Sequence, residues 1–407
     1  MSDLAEIELS EDLRPVPQAE LMARLERFRA EMDRREPGWE MAVVGHKFAL
    51  YYFTGTMQDG ILIIRPEDAV FWVRRSFTRA HKESLFADIR PMHSFREAAG
   101  FYGRIPEKIH LELKRTTLDW QQRLVKYFPF REVGGIDAAL AAVRMVKSEY
   151  ELTQMKISGR IHAEVLDEVV PSLVREGISE AELAVAIYRE MLIRGSHGTA
   201  RFNMAAGEEV IGIAAFGKSG LVQTAFDGPG GIDGTCIAVQ NIGSAFRFLR
   251  QNQLIYLDIP CGFDGYHSDK TSVYYFGALK KDAAAEKILA AHNYCLEMEQ
   301  EVVARLKPGK SLEQVYDECL QAKGTPYGDA FMSGGKFLGH SIGLVIDESP
   351  AIAHGFKEEL VPGMTFAVEP KVALAGLGMV GTENTYVITE QGAQSITGSS
   401  HALRELH

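Results

Sequence analysis

Four carboxylates and one histidine carry most of the chemical information in this chain. Asp258 and Asp269 lie in LIYLDIPCGFDGYHSDKTSVYYF, Glu369 and Glu383 in MTFAVEPKVALAGLGMVGTENTYVI, and His340 between them in KFLGHSIGL. Each acidic pair is set in apolar runs separated by a Gly-containing turn, the pattern of a β-hairpin. A first hairpin turning at Phe263–Asp264 would place Asp258 directly opposite Asp269. A second turning at Gly376 would place Glu369 opposite Glu383. Directly opposed residues have Cβ atoms roughly 4.5–5.5 Å apart. Carboxylates held that close repel unless a cation sits among them or protons are taken up. With His340 adding a nitrogen donor, the simplest site is a pair of metal ions roughly 3.5–4 Å apart, sharing carboxylates. Two such pairs, both inside apolar strands, favour this reading over one of solvated hairpin acids that face each other by chance.

The elements that must position these groups fall into two parts, as 407 residues exceed what one core usually organises. In residues 1–145, a charged helix is expected over 18–35. Strands follow at MAVVG, ALYYFTG, GILIIRP and AVFWV, then helical RRSFTRAHKESLF and the strand KIHLEL. Alternating strands and helices indicate an α/β domain with a mixed sheet. Residues 146–407 read as an internal duplication. Helical stretches 149–177 and 179–195 precede the Asp hairpin, and 281–306 and 311–323 precede the Glu hairpin. Ser179 with Glu182, and Ser311 with Gln314, have the spacing of helix N-caps. Two helix–helix–hairpin units would bring their acidic pairs together about a pseudo-twofold axis.

The motifs resemble those of the pita-bread metallopeptidase family, which includes methionine aminopeptidase, aminopeptidase P, prolidase and creatinase. Asp258 followed by Gly265, Tyr266, Ser268 and Asp269 matches the prolidase-like D–G–Y–x–S–D signature. Gly339–Leu344 matches GHGxGL, Glu369–Pro370 the E–P step, and Thr382–Asn384 the last acidic segment. The resemblance is strong over residues 148–395 and weaker before them, where Tyr51–Gly60 is similar to a creatinase-type N-terminal segment. It implies an α/β (α+β) chain with a creatinase-type N-terminal domain and a pita-bread catalytic domain. It further implies that Asp258, Asp269, His340, Glu369 and Glu383 ligate two divalent ions, bridged by Asp269 and Glu383. Mn²⁺ is favoured, with Co²⁺, Fe²⁺ or Zn²⁺ as alternatives. Creatinase-type relatives often pair, and the Tyr51–Tyr52 aromatics, expected to be exposed, would suit a homodimer contact.

The chain departs from that pattern where the peptidases carry auxiliary groups. The histidine expected seven residues after His340 is Asp347, and the one expected before Asp258 falls at Asn241. Expected arginines are replaced by Ser272 and Gly381, and Lys371 stands where glycine usually follows the E–P step. Asp347 and His354 are therefore taken as candidate catalytic residues, and Asn241 and Lys371 as candidate substrate contacts. For Lys371 and Lys270 a surface or salt-bridge lysine is the favoured reading over a catalytic one. The stretches ARFNMAAGEEVIG and AFDGPGG also differ from the prolidase pattern.

A net charge of −11 argues against a nucleic-acid partner. No apolar run approaches the ~20 residues of a membrane span. The start, MSDLAEIELSEDLRPVP, lacks the basic and apolar regions of a signal peptide. Four cysteines without CxxC spacing fit free thiols, and a cytoplasmic location is expected. The leading functional expectation is a metal-dependent hydrolase of the Xaa-Pro dipeptidase or aminopeptidase type, acting on a small peptide. A lyase or amidohydrolase on a small metabolite, and a catalytically silent binding protein, are the competing expectations.

Overall fold

In the computed structural model of the protein, residues 14–202, 208–209, 212–225 and 228–407 are described. Most of ARFNMAAGEEVIG, and Phe226–Asp227 of AFDGPGG, lie outside them. Contacts divide the chain into two units between Arg144 and Met145.

The first unit is built on six strands: β1 (Ala42–Val44), β2 (Gly60–Ile64), β3 (Ala69–Val73), β4 (Ile89–Pro91), β5 (Lys108–Leu111) and β6 (Glu132–Gly135). Their order is β4-β3-β2-β1-β5-β6, antiparallel within β1–β2–β3 and parallel toward both edges. The helix Gln18–Arg35 forms where its apolar spacing places it, burying Leu21, Leu25, Phe28 and Met32. ALYYFTG, expected as a strand, is instead the helix Lys47–Thr54, closed by Gly55 in the left-handed conformation. A short apolar run has no period that separates strand from buried helix, and this one is buried on nearly every face. Tyr52 is fully buried, its hydroxyl donating to the Val143 carbonyl, and Tyr51 is half-buried. The Tyr51–Tyr52 pair is thus not the exposed patch expected of a subunit contact.

The second unit repeats one local plan. The helices Glu149–Ala163 and Glu180–Ile193 precede the long strands β8 (Gln253–Phe263) and β9 (Tyr266–Phe276), with β7 (Ile213–Phe216) beside β8. The helices Ala283–Arg305 and Leu312–Lys323 precede β10 (Gly339–Ser341), β11 (Glu348–Ala351), β12 (Thr365–Val368), β13 (Lys371–Leu374), β14 (Gly378–Gly381), β15 (Asn384–Thr389) and β16 (Gly392–Ser395). The caps form as expected: Ser179 accepts from the Glu182 amide, and Ser311 with Gln314 makes a full capping box. With β17 (Arg404–Leu406), the sheets run β17-β9-β8-β7 and β11-β10-β12-β15-β16. An isolated antiparallel bridge, Thr271 to Glu383, stitches one to the other. Strand alternation divides the core. Ile255, Leu257 and Ile259 pack with the first helix pair, whereas Leu254 and Tyr256 face the core of the second.

The Asp hairpin turns one residue later than expected, at Asp264–Gly265, and Phe263 pairs with Tyr266. Both turn residues have positive φ, 45° and 88°, as an Asp-Gly two-residue turn requires. Asp258 therefore faces Thr271 and Asp269 faces Pro260, not each other. The slip changes each partner by two positions, so both aspartates keep the same face of the ribbon. The Glu hairpin has the expected register. Val368 pairs with Asn384 on one side, Lys371 pairs with Gly381 on the other, and Glu369 and Glu383 sit at the break between the two ladders.

In the first unit, burial pushes the Glu112 carboxyl up to about 7, although it accepts from the His46 amide. A group raised on folding stabilises fully below its unfolded pKa, and that contribution is lost as pH rises from about 4.5 to about 7. The loss is on the order of 3 kcal/mol. Glu112→Gln should flatten the fall in this unit's melting temperature between pH 5 and pH 8, read by calorimetry. An unchanged slope would show that Glu112 is solvated.

Candidate active site

The five residues come together at the seam between the two sheets, and a sixth stands among them. Lys371, at the head of β13, is 1% exposed. Its Nζ donates to Asp258 Oδ2 at 2.8 Å, Glu369 Oε2 at 2.9 Å and Glu383 Oε2 at 2.9 Å. Three ammonium protons meet three carboxylates, so the donor capacity of the lysine is used in full. This is neither a surface lysine nor one reaching for substrate; it is the internal counter-ion of the cluster. Lys270 is also buried but serves elsewhere, donating to Asn384 Oδ1 and the Thr397 carbonyl and pairing with Asp167 at 3.4 Å.

The other members are fixed by polar neighbours on their own strand or across the seam. Tyr256 donates to Asp258 Oδ2 at 2.6 Å, and Thr271 Oγ1 donates to Glu383 Oε2 at 2.9 Å. Thr385 Oγ1 accepts from the Asp269 amide and donates to the Asp269 carbonyl. His340 Nε2 lies 3.4 Å from Glu369 Oε1 and 3.5 Å from Asp347 Oδ1. Behind the cluster, buried Glu299 accepts from the Tyr386 hydroxyl and the Asn384 amide, holding the strand that carries Glu383.

Electrostatics follow from this packing. Burial would raise Asp258, but the Lys371 ammonium and the bonds from Lys371, Tyr256 and Thr271 hold its carboxyl below the usual range. Burial and the charges of Glu383 and Asp258 push Asp269 well above it. Burial also pushes Glu383 up to about 8, against the pull of Lys371. His340 is raised despite burial, by Asp347, Glu369 and Glu383. Lys371 is likewise raised despite burial, by the same carboxylates it bonds.

Asp269, His340 and Glu383 offer ligand atoms that all lie within 4.8 Å of one another, a set able to hold a divalent ion. Carboxylate and imidazole are the donors such an ion uses. The residues present therefore fit one ion. Of the expected donors for a second ion, Asp258 and Glu369 each give an oxygen to Lys371, as does Glu383.

The remaining sequence candidates separate. Asp347 belongs to the cluster through His340 and is partly exposed, at 30%. His354 does not join it: its ring is 71% exposed and pairs with Asp317 and Glu313 on the helix Leu312–Lys323. Asn241 is exposed in a bend before β8, with no contact to the five among the described residues. Ser272 alternates with Thr271 on β9 and so points to the opposite face. Sequence reading missed Tyr256, Thr271 and Thr385 as supports, although each lies two positions from an acid and shares its face.

The family model described as Metallopeptidase family M24 matches residues 153–390, more than half of the chain. The chain belongs to metallopeptidase family M24. Residues 24–146 match the Creatinase/Prolidase N-terminal domain. The Xaa-Pro dipeptidase of Pyrococcus furiosus is 24% identical over 390 residues, covering 93% of this chain and 99% of that protein. The probable dipeptidase PepE of Mycobacterium tuberculosis is 29% identical over 273 residues, covering 65% of this chain and 61% of its own. Among solved structures, an Xaa-Pro dipeptidase from Bacillus anthracis superposes with a TM-score of 0.78 at 23% identity, covering 95% of this chain and 100% of that one. The N-terminal domain of the FACT complex subunit SPT16 from chickpea reaches 0.71 at 15% identity, covering 95% and 98%. At such identities structural likeness shows the fold alone. That fold is the expected one, a creatinase-like α/β domain followed by a pita-bread unit. Family membership places this M24 chain among metallopeptidase-like hydrolases and implies divalent metal ions.

Tyr256→Phe removes one hydroxyl bond to Asp258 while keeping the ring's packing. Hydrogen bonds to charged groups are worth roughly 1.5–3 kcal/mol, and urea denaturation at pH 7 should show a loss of that size. A loss within error of zero would mean that Lys371 and Thr271 suffice to hold Asp258.

Proposed function

We propose that this chain hydrolyses an amide bond at the cluster, in the manner of an Xaa-Pro dipeptidase or aminopeptidase acting on a small peptide. The observation that carries the reading is the convergence of Asp269, His340 and Glu383 to within 4.8 Å at the seam of the two sheets. These three would hold a divalent ion, Mn²⁺ being the first choice for oxygen-rich donors. Once bound, such an ion acidifies a water molecule and polarises a carbonyl oxygen. The sequence reading expects two such ions bridged by Asp269 and Glu383; the donors that Lys371 leaves free support one.

The chain's own residues account for the rest. Glu383 and Asp269, raised as they are, hold protons readily and give them up when a cation arrives. Lys371 keeps Asp258 and Glu369 in place and supplies positive charge beside the reacting centre. Asp347, partly open to solvent and 3.5 Å from His340, is the proposed proton acceptor at the mouth of the site. No helix among the described residues is long and apolar enough to cross a membrane. Three buried cysteines and one exposed, all free, support a reducing, cytoplasmic setting. A homodimer is proposed on the commonness of closed twofold association, with light scattering as its measurement.

Lacking histidine at positions 241 and 347, the Mn²⁺-loaded protein should cleave Ala-Pro and Gly-Pro at least about 10²-fold more slowly than ordinary prolidases, since one preorganised donor is typically worth about 10²–10³-fold. Asp347→Asn should lower the residual turnover further, with the protein still folded. Prolidase-level turnover by the wild type would show that other groups replace the histidines. Turnover of small amides with none of any dipeptide would move the proposal to the amidohydrolase reading.

A further inference from the structure

The two most unusual positions of the site are paired with each other. The resemblance implies glycine at position 371 and arginine at position 381, and this chain has Lys371 and Gly381. These residues face each other directly across β13 and β14. They are also coupled sterically. Gly381 has φ 150°, and a Cβ there would lie 2.5 Å from the Pro370 carbonyl oxygen, 2.7 Å from Lys371 Cα and 2.9 Å from Lys371 Cγ. Contacts under 3.0 Å with backbone atoms cannot be relieved by a side-chain rotation. The backbone contacts keep position 381 bare in this conformation, and the 2.9 Å contact shows that the lysine stem lies over it. Relative to the pattern that the resemblance implies, the positive charge stands on the opposite strand, as an ammonium rooted beside Glu369.

We infer that Lys371 is a resident cation standing in for one metal ion, so that the site takes no more than one divalent ion per chain, at Asp269, His340 and Glu383. Three observations carry this. The ammonium contacts one oxygen each of Asp258, Glu369 and Glu383 at 2.8–2.9 Å, and the first two are the carboxylates that a second ion would need beyond the Asp269–His340–Glu383 set. A carboxylate oxygen lies roughly 2.0–2.2 Å from a bound zinc ion, so an ammonium and an ion cannot share these oxygens without overlap and repulsion. Finally, the lysine is 1% exposed, so swinging it out to admit an ion would leave its stem without space to move into. A tethered cation cannot be chelated or exchanged, and it holds Asp258 and Glu369 in place whether or not the remaining position is filled. The inference takes the location of the site from the proposed hydrolase but not its activity.

Titration calorimetry with MnCl₂ on the full-length protein, checked by elemental analysis after gel filtration, tests it. Because Glu313, Asp317 and His354 also offer ligand atoms within 4.8 Å of one another, every protein is measured in a His354→Ala background, and there the chain with native Lys371, the wild type of this comparison, should bind no more than one Mn²⁺. Lys371→Gly, which vacates the space and restores the residue that the resemblance implies, should gain one ion over the wild type. Lys371→Met, which fills the space without charge, should gain none. Two ions per wild-type chain would overturn the inference, as would Lys371→Gly binding the same number as the wild type. If Lys371→Gly does not fold, the wild-type stoichiometry still decides. A wild type holding one ion and inert toward every peptide would remove the peptidase reading and leave this one standing.

Discussion

The structure around the site depends on one constraint: four carboxylates are brought close together in a largely buried seam, and something must offset their charge. Isolated ionised carboxylates cost several kcal/mol or more each to bury. The fold meets this with a lysine whose three protons each reach a different carboxylate. Remove that lysine and the hairpins would carry uncompensated charge at the junction where Thr271 and Glu383 join the two sheets. Breaking a buried pair in this way typically costs roughly 3–5 kcal/mol. The same ammonium is thus a tie between β8, β13 and the segment leading into β15, as well as a charge.

A second regularity explains how the acids are aimed. In a strand, residues two apart share a face, and here the supporting residues lie two positions from an acid. Tyr256 serves Asp258, and Lys371 serves Glu369 on its own strand segment. Thr271 lies two from Asp269 and reaches Glu383; Thr385 lies two from Glu383 and reaches Asp269. The last two form a reciprocal pair across the seam, Thr271 bonding the Glu383 carboxylate and Thr385 bonding the Asp269 backbone. That exchange is what a pseudo-twofold arrangement of two hairpins produces, and it makes the two halves of the unit interdependent.

Much of this was legible in the sequence, for definite reasons. The acids stand in long apolar runs, so their strands and their common face follow from alternation. The Glu hairpin's register follows from the single glycine-centred turn at Gly376. The Asp hairpin's register was misjudged by two because Phe263–Asp264 and Asp264–Gly265 are both plausible turns until one weighs the demand for positive φ at both positions. ALYYFTG was misjudged because a short run buried all round has no period to read. Lys371 was legible in part: a salt-bridge lysine was one expectation, its burial and its three partners were not. A lysine in sequence is charged and usually exposed, and only the third dimension shows three carboxylates aimed at it. Two signals were nonetheless present: its distance of two from Glu369, and a bare glycine at the position the second hairpin pairs with it. His354 illustrates the opposite error, a residue close in sequence to Asp347 that the chain turns outward to the helix Leu312–Lys323.

One lysine does not neutralise four acids, and the remainder says what the site still needs. With His340 neutral, four carboxylates and one ammonium leave a charge of −3, and the Asp347 carboxylate beside His340 makes it −4. The shortfall appears where Lys371 does not reach or reaches only in part: Asp269 is pushed well above its ordinary range and Glu383 up to about 8, whereas Asp258, bound to both Lys371 and Tyr256, is held low. One divalent ion would offset two of these charges. A second ion would compete for carboxylates already bonded to Lys371. The raised acids and the three-ligand set are the same pair of carboxylates beside His340, so charge and geometry point to the same place for a cation.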